Sequence, residues 1–150
     1  MATETAPELQ TVGSIMTSRV VTIAMDDSLE VIRDIFKQVK FHHLIVVDGE
    51  TVVGLISDRD YFKAISPYVD TLSETHRDRA TLEKRAHQIM SPSPVTVERS
   101  CPIQEAARVM LNRSVSCLPI TYSNGSMAGV VTWKDVFKVF LEPPDPTDSV

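Results

Sequence analysis

Two short stretches of the chain place a hydroxyl residue and a carboxylate at the same spacing. Residues 54–60 read G-L-I-S-D-R-D and residues 129–135 read G-V-V-T-W-K-D, so that an apolar run ends at the hydroxyl residue and an aspartate follows three positions later. This is the pattern of a strand that turns into a helix, with the hydroxyl capping the new helix. Because helix N-termini also bind phosphate groups, each corner can hold an anion. The hydroxyl and carboxylate residues are Ser57 and Asp60 in the first corner, and Thr132 and Asp135 in the second.

Basic residues stand beside both corners. Arg59 and Lys134 directly precede the two aspartates, and either side chain can neutralise a phosphate. Lys63 and Lys138 follow the aspartates by three positions, and we interpret them as residues of a solvated helix face.

The elements that position these corners occur twice. Helical spacing of apolar residues predicts an amphipathic helix over residues 29–39. Apolar runs at residues 44–47 and 52–56 predict two strands joined by a tight turn at Asp48-Gly49. The same order returns about 74 residues later, with nine identical positions spread over about fifty residues. A strand–helix–strand–strand–helix order written twice indicates an internal duplication.

The duplication predicts how the chain is divided. Residues 15–69 form the first repeat and residues 89–141 the second. Residues 70–88 form a charged linker whose weak apolar stripe indicates some helix. Residues 1–14 are an N-terminal segment, and the proline-rich residues 142–150 read as a disordered tail.

Size and composition limit the class of protein. The 150 residues suffice for one compact unit or two half-sized units that share a core, and 43% apolar with 23% charged residues is typical of globular proteins. With 15 basic against 20 acidic residues, the formal net charge of −5 argues against a general nucleic-acid binder. No apolar run approaches the roughly 20 residues that span a bilayer, and the N-terminus lacks the basic region of a secretory signal. We therefore expect a cytoplasmic protein without nucleic-acid or membrane partners.

The other reactive side chains form no catalytic or metal-binding pattern. Adjacent strand residues point to opposite faces, so His42 and His43 cannot bind one ion together. Cys101 and Cys117 have neither metal-type spacing nor a disulfide framework. With 5 glycines, no glycine-rich phosphate loop and no Ser-His-Asp order are evident. The sequence predicts no metal site, no catalytic cofactor and no enzyme.

The doubled order of elements, with its two corners and two Ile-Met openings, resembles the cystathionine-β-synthase (CBS) domain family. The resemblance covers roughly residues 10–141, and two such domains in tandem look like a Bateman module, here of the stand-alone bacterial type. It implies an α/β (α+β) fold in which two pseudo-symmetric β-α-β-β-α repeats pack through their sheets and leave two clefts. In that family the clefts commonly bind AMP, ADP, ATP or S-adenosylmethionine, and isolated pairs usually dimerise.

Through this resemblance, Asp60 and Asp135 are expected to accept both hydroxyls of a ribose cis-diol, because a carboxylate offers two acceptor oxygens. The alternative is that each aspartate serves only the cap of its helix. The two roles are compatible, and both stay open. The residues expected beside the phosphate or its hydroxyls are Ser57, Thr132, Arg59 and Lys134.

The resemblance also implies an adenine slot lined by the opening and central strands. Plain core packing explains the apolar members of this slot equally well. In the family each cleft is often completed across the repeats, so Asp135 is expected to face the first copy's strands and Asp60 the second's. The matching positions are Thr17, Val20, Val21, His43 and Leu44 in one copy, and Ser91, Val95, Cys117, Leu118 and Pro119 in the other.

Two functional hypotheses follow. In the first, the protein is a regulatory module that senses an adenine nucleotide as a homodimer and signals through an unidentified effector protein. In the second, it is a scaffold or oligomerisation module whose clefts stay empty and whose corners are only helix caps. Under the first hypothesis, residues 66–88 are a candidate cover for one cleft, with Arg77, Arg79 or Arg85 reaching a phosphate.

Overall fold

A computed structural model describes residues 10–141, and the chain divides into two compact units. One unit comprises Val21–Pro94, and the described part of the other comprises residues 10–20 and 95–141. We call them the Asp60 unit and the Asp135 unit, after the corner that each contains. Residues 1–9 and the predicted tail lie outside the described residues.

The Asp60 unit is built on a four-stranded sheet in the order β1-β2-β3-β4. Strand β1 (Thr22–Ala24) is parallel to β2 (His43–Asp48), which is antiparallel to β3 (Thr51–Ser57), and β3 is antiparallel to β4 (Ser91–Pro92). Gly49 adopts φ +63° between β2 and β3, as the predicted tight turn requires. The helices of this unit are α1 (Leu29–Gln38), α2 (Asp58–Ala64), α3 (His76–Ala80) and α4 (Ala86–Ile89), with a 3-10 turn at Thr81–Glu83.

The Asp135 unit repeats this plan on a three-stranded sheet. Strand β5 (Val97–Glu98) is parallel to β6 (Cys117–Thr121), which is antiparallel to β7 (Met127–Thr132). Its helices are α5 (Ile103–Arg113) and α6 (Trp133–Leu141), with a 3-10 turn at Val12–Ser14. The mixed α and β class predicted from the sequence is confirmed.

Each unit has its own hydrophobic core, formed where its helices cover one face of its sheet. In the Asp60 unit, Leu29 and Ile32 of α1 pack with Leu44 of β2, and all three are fully buried. In the Asp135 unit, Ile103 of α5 packs with Leu118 of β6 in the same way. Burial of a side chain of this size contributes about 1.5–3 kcal/mol, so these contacts fix the position of each corner on its sheet.

Each unit takes its opening segment from the other repeat of the sequence. In the Asp60 unit, the amide of Leu29 donates to the carbonyl of Lys84 at 2.8 Å. In the Asp135 unit, the amide of Ile103 donates to the carbonyl of Gln10 at 2.9 Å. These are equivalent positions of the two copies, so the same exchange occurs in both units.

Each corner sequence begins with a glycine, because the opening segment of the unit packs against the strand at that position and leaves no room for a side chain. A Cβ atom on Gly54 would overlap the Sδ atom of Met90, whereas one on Gly129 would lie 2.6 Å from the carbonyl oxygen of Thr17. Thr17 is held by two backbone hydrogen bonds with Val130, at 2.9 and 3.0 Å. Gly129 is the site less able to accept a side chain, because the Thr17 backbone cannot rotate away as the Met90 side chain can.

Candidate functional site

The Asp60 corner is a complete capping box at the start of α2. The Ser57 Oγ atom accepts from the Asp60 amide at 3.1 Å, and the Asp60 Oδ2 atom accepts from the Ser57 amide at 2.8 Å. This reciprocal pair satisfies two amides that a helix start would otherwise leave without partners. The predicted cap is confirmed at this corner.

The Asp135 corner uses the same residue types with a different hydrogen-bond pattern. The amide of Thr132 donates to Asp135 Oδ2 at 2.9 Å, and the Thr132 hydroxyl donates to the same oxygen at 3.2 Å. The carboxylate therefore holds both the backbone and the side chain of the residue that ends β7.

Both aspartates keep one carboxylate oxygen available. Within residues 10–141, every hydrogen bond to Asp60 or Asp135 ends on Oδ2, and none reaches Oδ1. Both side chains are half-buried, and their Oδ2 atoms are already fixed by the cap. Each corner can thus accept a hydroxyl donor on an oxygen whose position is set in advance.

The strand residue that faces each corner differs between the units. His43 pairs in register with Ser57, and Cys117 pairs with Thr132. Burial lowers the pKa of His43 below its ordinary 6.5, opposed in part by the negative charge of Asp58. Burial, together with the nearby charge of Asp135, raises the pKa of the Cys117 thiol to about 12. That thiol stays neutral at physiological pH and packs as a small apolar group.

The first helical residue after each cap also differs. Asp58 lies with its Oδ2 atom 2.9 Å from the Nδ1 atom of His42, and both side chains are solvent-accessible. At the equivalent position, Trp133 stacks on Phe137 with ring centroids 5.9 Å apart. The Asp60 corner is therefore polar where the Asp135 corner is aromatic.

The two adjacent histidines have separate partners, since His42 contacts Asp58 whereas His43 faces the end of β3. Among residues 10–141, no group of three or more His, Cys, Asp or Glu side chains is arranged to hold a metal ion.

The predicted site residues of one sequence repeat do not all lie in the same structural unit, because each unit contains residues from both repeats. Leu44, Leu118 and Pro119 are buried, the first two within the cores described above, whereas Arg59 and Lys134 are exposed. The Asp60 unit contains Val21, His43, Leu44, Ser57, Arg59, Asp60 and Ser91, and the Asp135 unit contains Thr17, Val20, Val95, Cys117, Leu118, Pro119, Thr132, Lys134 and Asp135.

An open cleft of about 370 Å³ lies beside Asp60, between α2 and α4. Three of its lining residues come from residues 84–89, which the sequence analysis assigned mainly to a charged linker. Their position follows from the exchanged opening segments, a long-range arrangement that residue spacing does not reveal. The lining residues are Asp60, Lys63, Ala64, Lys84, Gln88 and Ile89.

Two of the three linker arginines considered above, Arg79 and Arg85, have partners outside this cleft. The Arg79 Nη1 atom lies 3.0 Å from Asp70 and 3.4 Å from Glu74, and Arg85 Nη1 donates to the carbonyl of Asp26 at 3.0 Å. The basic linker residue that lines the cleft is Lys84, not an arginine.

Comparison with known proteins gives the family. The CBS domain matches the chain twice, over residues 12–67 and 86–142. The chain belongs to the CBS domain family. The predicted tandem of two CBS repeats is confirmed.

Several CBS proteins are similar along most of the chain. A CBS domain-containing protein of Dictyostelium discoideum is 31% identical over 137 residues, covering 90% of this chain and 94% of the relative. The crystal structure of CBSX2 in complex with AMP is 27% identical, covers 88% of this chain and 96% of that chain, and has a TM-score of 0.71. CBSX2 is a chloroplastic CBS protein of Arabidopsis thaliana. The CBS domain of a bacterial CNNM/CorC-family Mg²⁺ transporter, 19% identical with a TM-score of 0.75, covers 90% of this chain and 89% of its own and shares the fold.

Within residues 10–141, none of the helices combines the length and the apolar character needed to cross a bilayer.

Proposed function

We propose that this CBS protein is a regulatory module that binds an adenine nucleotide at its Asp60 and Asp135 corners and carries out no catalysis. The observation that carries the proposal is the carboxylate arrangement, in which the cap fixes Oδ2 and leaves Oδ1 free at both corners. A ribose diol supplies two hydroxyl donors for such a carboxylate, and hydrogen bonds to a charged acceptor are among the stronger ones in proteins.

The AMP complex of the similar CBSX2 supports an adenosine-containing ligand for this chain. AMP, ADP, ATP and S-adenosylmethionine all carry the same ribose diol, so the two aspartates alone do not choose between them. Among the residues of the proposed adenine slots, Ser91 is exposed, whereas the Leu44 and Leu118 side chains serve the cores. The half-buried members are Thr17, Val20, Val21, His43 and Val95.

We further propose that the chain acts as a homodimer in the cytoplasm and passes ligand occupancy to an effector protein. The duplication keeps a phenylalanine exposed at one equivalent position in each unit, with Phe62 69% exposed and Phe137 57% exposed. Repeated exposed aromatic residues suit a self-complementary contact with a second copy. A ligand shifts such an assembly only by its different affinity for two conformations, so the effector must distinguish those conformations.

Isothermal titration calorimetry of the full chain with AMP, ADP, ATP and S-adenosylmethionine tests this function. We expect saturable binding of at least one of them, and loss of that binding in the Asp60→Ala/Asp135→Ala double variant. Absence of heat with all four ligands, together with an unchanged melting temperature in their presence, would favour the scaffold hypothesis instead.

A further inference from the structure

The cleft between α2 and α4, which we call the Asp60 cleft, contains two lysines. Lys63 lies on α2 one turn after Asp60, and Lys84 enters from the opening segment that precedes α4. Gln88 of α4 completes the polar side of the lining. All of these residues belong to the Asp60 unit.

The structure holds Lys84 in place without neutralising it. Its Nζ atom donates to the carbonyl of Ala64 at 2.8 Å, and its own carbonyl accepts from the amide of Leu29. Among residues 10–141, no carboxylate lies within 4.0 Å of the ammonium of Lys63 or Lys84. Asp60 offsets one of the two positive charges of the cleft, which leaves a surplus of one.

The equivalent positions in the Asp135 unit carry less positive charge. The counterpart of Lys84 is Gln10, as their matching backbone hydrogen bonds show. The counterpart of Lys63 is Lys138, and that of Asp60 is Asp135. With one lysine against one aspartate, these positions have no surplus, so the duplication has placed an extra cation in one unit only.

We propose that the Asp60 cleft is a phosphate-binding site that makes the Asp60 unit select polyphosphorylated ligands. Two ammonium groups attract a di- or triphosphate and repel a cationic sulfonium such as that of S-adenosylmethionine. The uncharged Gln10 gives the Asp135 unit no such preference. For nucleotides this inference rests on the proposed function, whereas the phosphate site itself stands on the cleft alone.

Amide chemical shifts of the full-length ¹⁵N-labelled chain locate and quantify binding. Titration with inorganic tripolyphosphate is expected to shift the amides of Ala64 and Gln88. Lys84→Gln introduces the residue type of Gln10, the counterpart of Lys84 in the Asp135 unit. In this variant we expect the dissociation constant of tripolyphosphate to rise about tenfold, which corresponds to the loss of one charge-assisted contact. Lys63→Gln should act in the same direction, and the matched control Lys138→Gln should leave these shifts unchanged.

The same variants titrated with ATP and adenosine separate this inference from the proposed function. The phosphate site and the nucleotide function are both supported if Lys84→Gln weakens ATP binding but not adenosine binding. If tripolyphosphate binds the cleft and neither ATP nor adenosine binds the protein, the phosphate site stands and the nucleotide function fails. If ATP binds wild type and Lys84→Gln equally, or tripolyphosphate shifts amides elsewhere, the phosphate site is wrong.

Discussion

The Asp60 and Asp135 corners share a backbone plan and differ in the side chains around it. In both, the aspartate Oδ2 atom holds the amide of the residue that ends the strand, at 2.8 Å from Ser57 and 2.9 Å from Thr132. Around this common feature, His43 in one unit is replaced by Cys117 in the other. The duplicated chain has retained what the strand-to-helix turn requires, while the neighbouring positions have diverged.

The divergence gives the two corners different electrostatic character. The Asp60 corner has a titratable histidine, an exposed Asp58–His42 pair and two lysines, whereas the Asp135 corner has a neutral thiol and the stacked Trp133. We therefore expect the two corners to bind the same nucleoside with different affinities and different responses to charge and pH.

Removal of either aspartate has the largest expected effect. Asp60→Ala or Asp135→Ala deletes the proposed diol acceptor from one corner. Because a hydrogen bond to a charged group contributes about 1.5–3 kcal/mol, the affinity of that corner for AMP should fall about 10- to 150-fold. Calorimetry measures this, with Ser28→Ala as the control, because that variant weakens the cap of α1 and keeps both aspartates. Equal AMP affinity in both aspartate variants and wild type would remove the proposed role of the corners.

Substitution of the corner glycines tests whether the two units tolerate the opening segment differently. Gly129→Ala places a methyl group 2.6 Å from the Thr17 carbonyl oxygen. Overpacking of this kind costs about 1–3 kcal/mol. Gly54→Ala should cost less, because the Met90 side chain can change rotamer. Urea denaturation gives the free energy of unfolding of both variants. A larger decrease in Gly54→Ala than in Gly129→Ala would contradict the conclusion that the Thr17 backbone is the less movable neighbour.

The caps offer a smaller contrast in stability. Ser57→Ala removes the acceptor of the Asp60 amide, which should lower the free energy of unfolding by about 1 kcal/mol. Thr132→Ala should cost less, because among residues 10–141 the Thr132 hydroxyl accepts from no helix amide and only donates to the Asp135 carboxylate. Thermal unfolding followed by circular dichroism compares the two variants. The reverse order would show that the Thr132 hydroxyl matters more than its hydrogen bond indicates.

The smallest effect concerns pH. Burial lowers the pKa of His43 in the folded protein below the ordinary 6.5 of the unfolded chain. The unfolded state therefore binds more protons as the pH falls through about 6.5, and the folded protein loses stability over that interval. His43→Gln should have a flatter pH profile of unfolding free energy, whereas the exposed His42→Gln serves as the control. If the two variants retain the wild-type slope, His43 is not the group responsible.

Local features of this fold could be predicted from the sequence because short-range chemistry determines them. The Ser57–Asp60 cap follows from a three-residue spacing, and the Asp48-Gly49 turn follows from the freedom of glycine at positive φ. One helix start was less well defined. The spacing of apolar residues does not show which residue caps α1: Ser28 is the N-cap, and the neighbouring Asp27 accepts from the Ala24 amide at 2.8 Å.

Short-range chemistry does not predict the exchange of opening segments, and only the family resemblance implied that each cleft is completed across the repeats. A repeat in the sequence does not say which sheet its first residues join, because that choice depends on long-range packing. The bridge between Thr17 and Val130, and the pairing of Leu55 with Ser91, are contacts of this kind. For this reason the sequence analysis assigned Lys84 to the linker, whereas in the fold Lys84 lines the Asp60 cleft.

A co-crystal structure of the full chain with AMP would show directly which side chains bind the ribose. We expect both ribose hydroxyls of a bound AMP to lie within hydrogen-bonding distance of the carboxylate of Asp60 or Asp135, with Oδ1 as one of the acceptors. Bound AMP whose ribose contacts neither aspartate would contradict this expectation, and the two corners would then be helix caps without a role in ligand recognition.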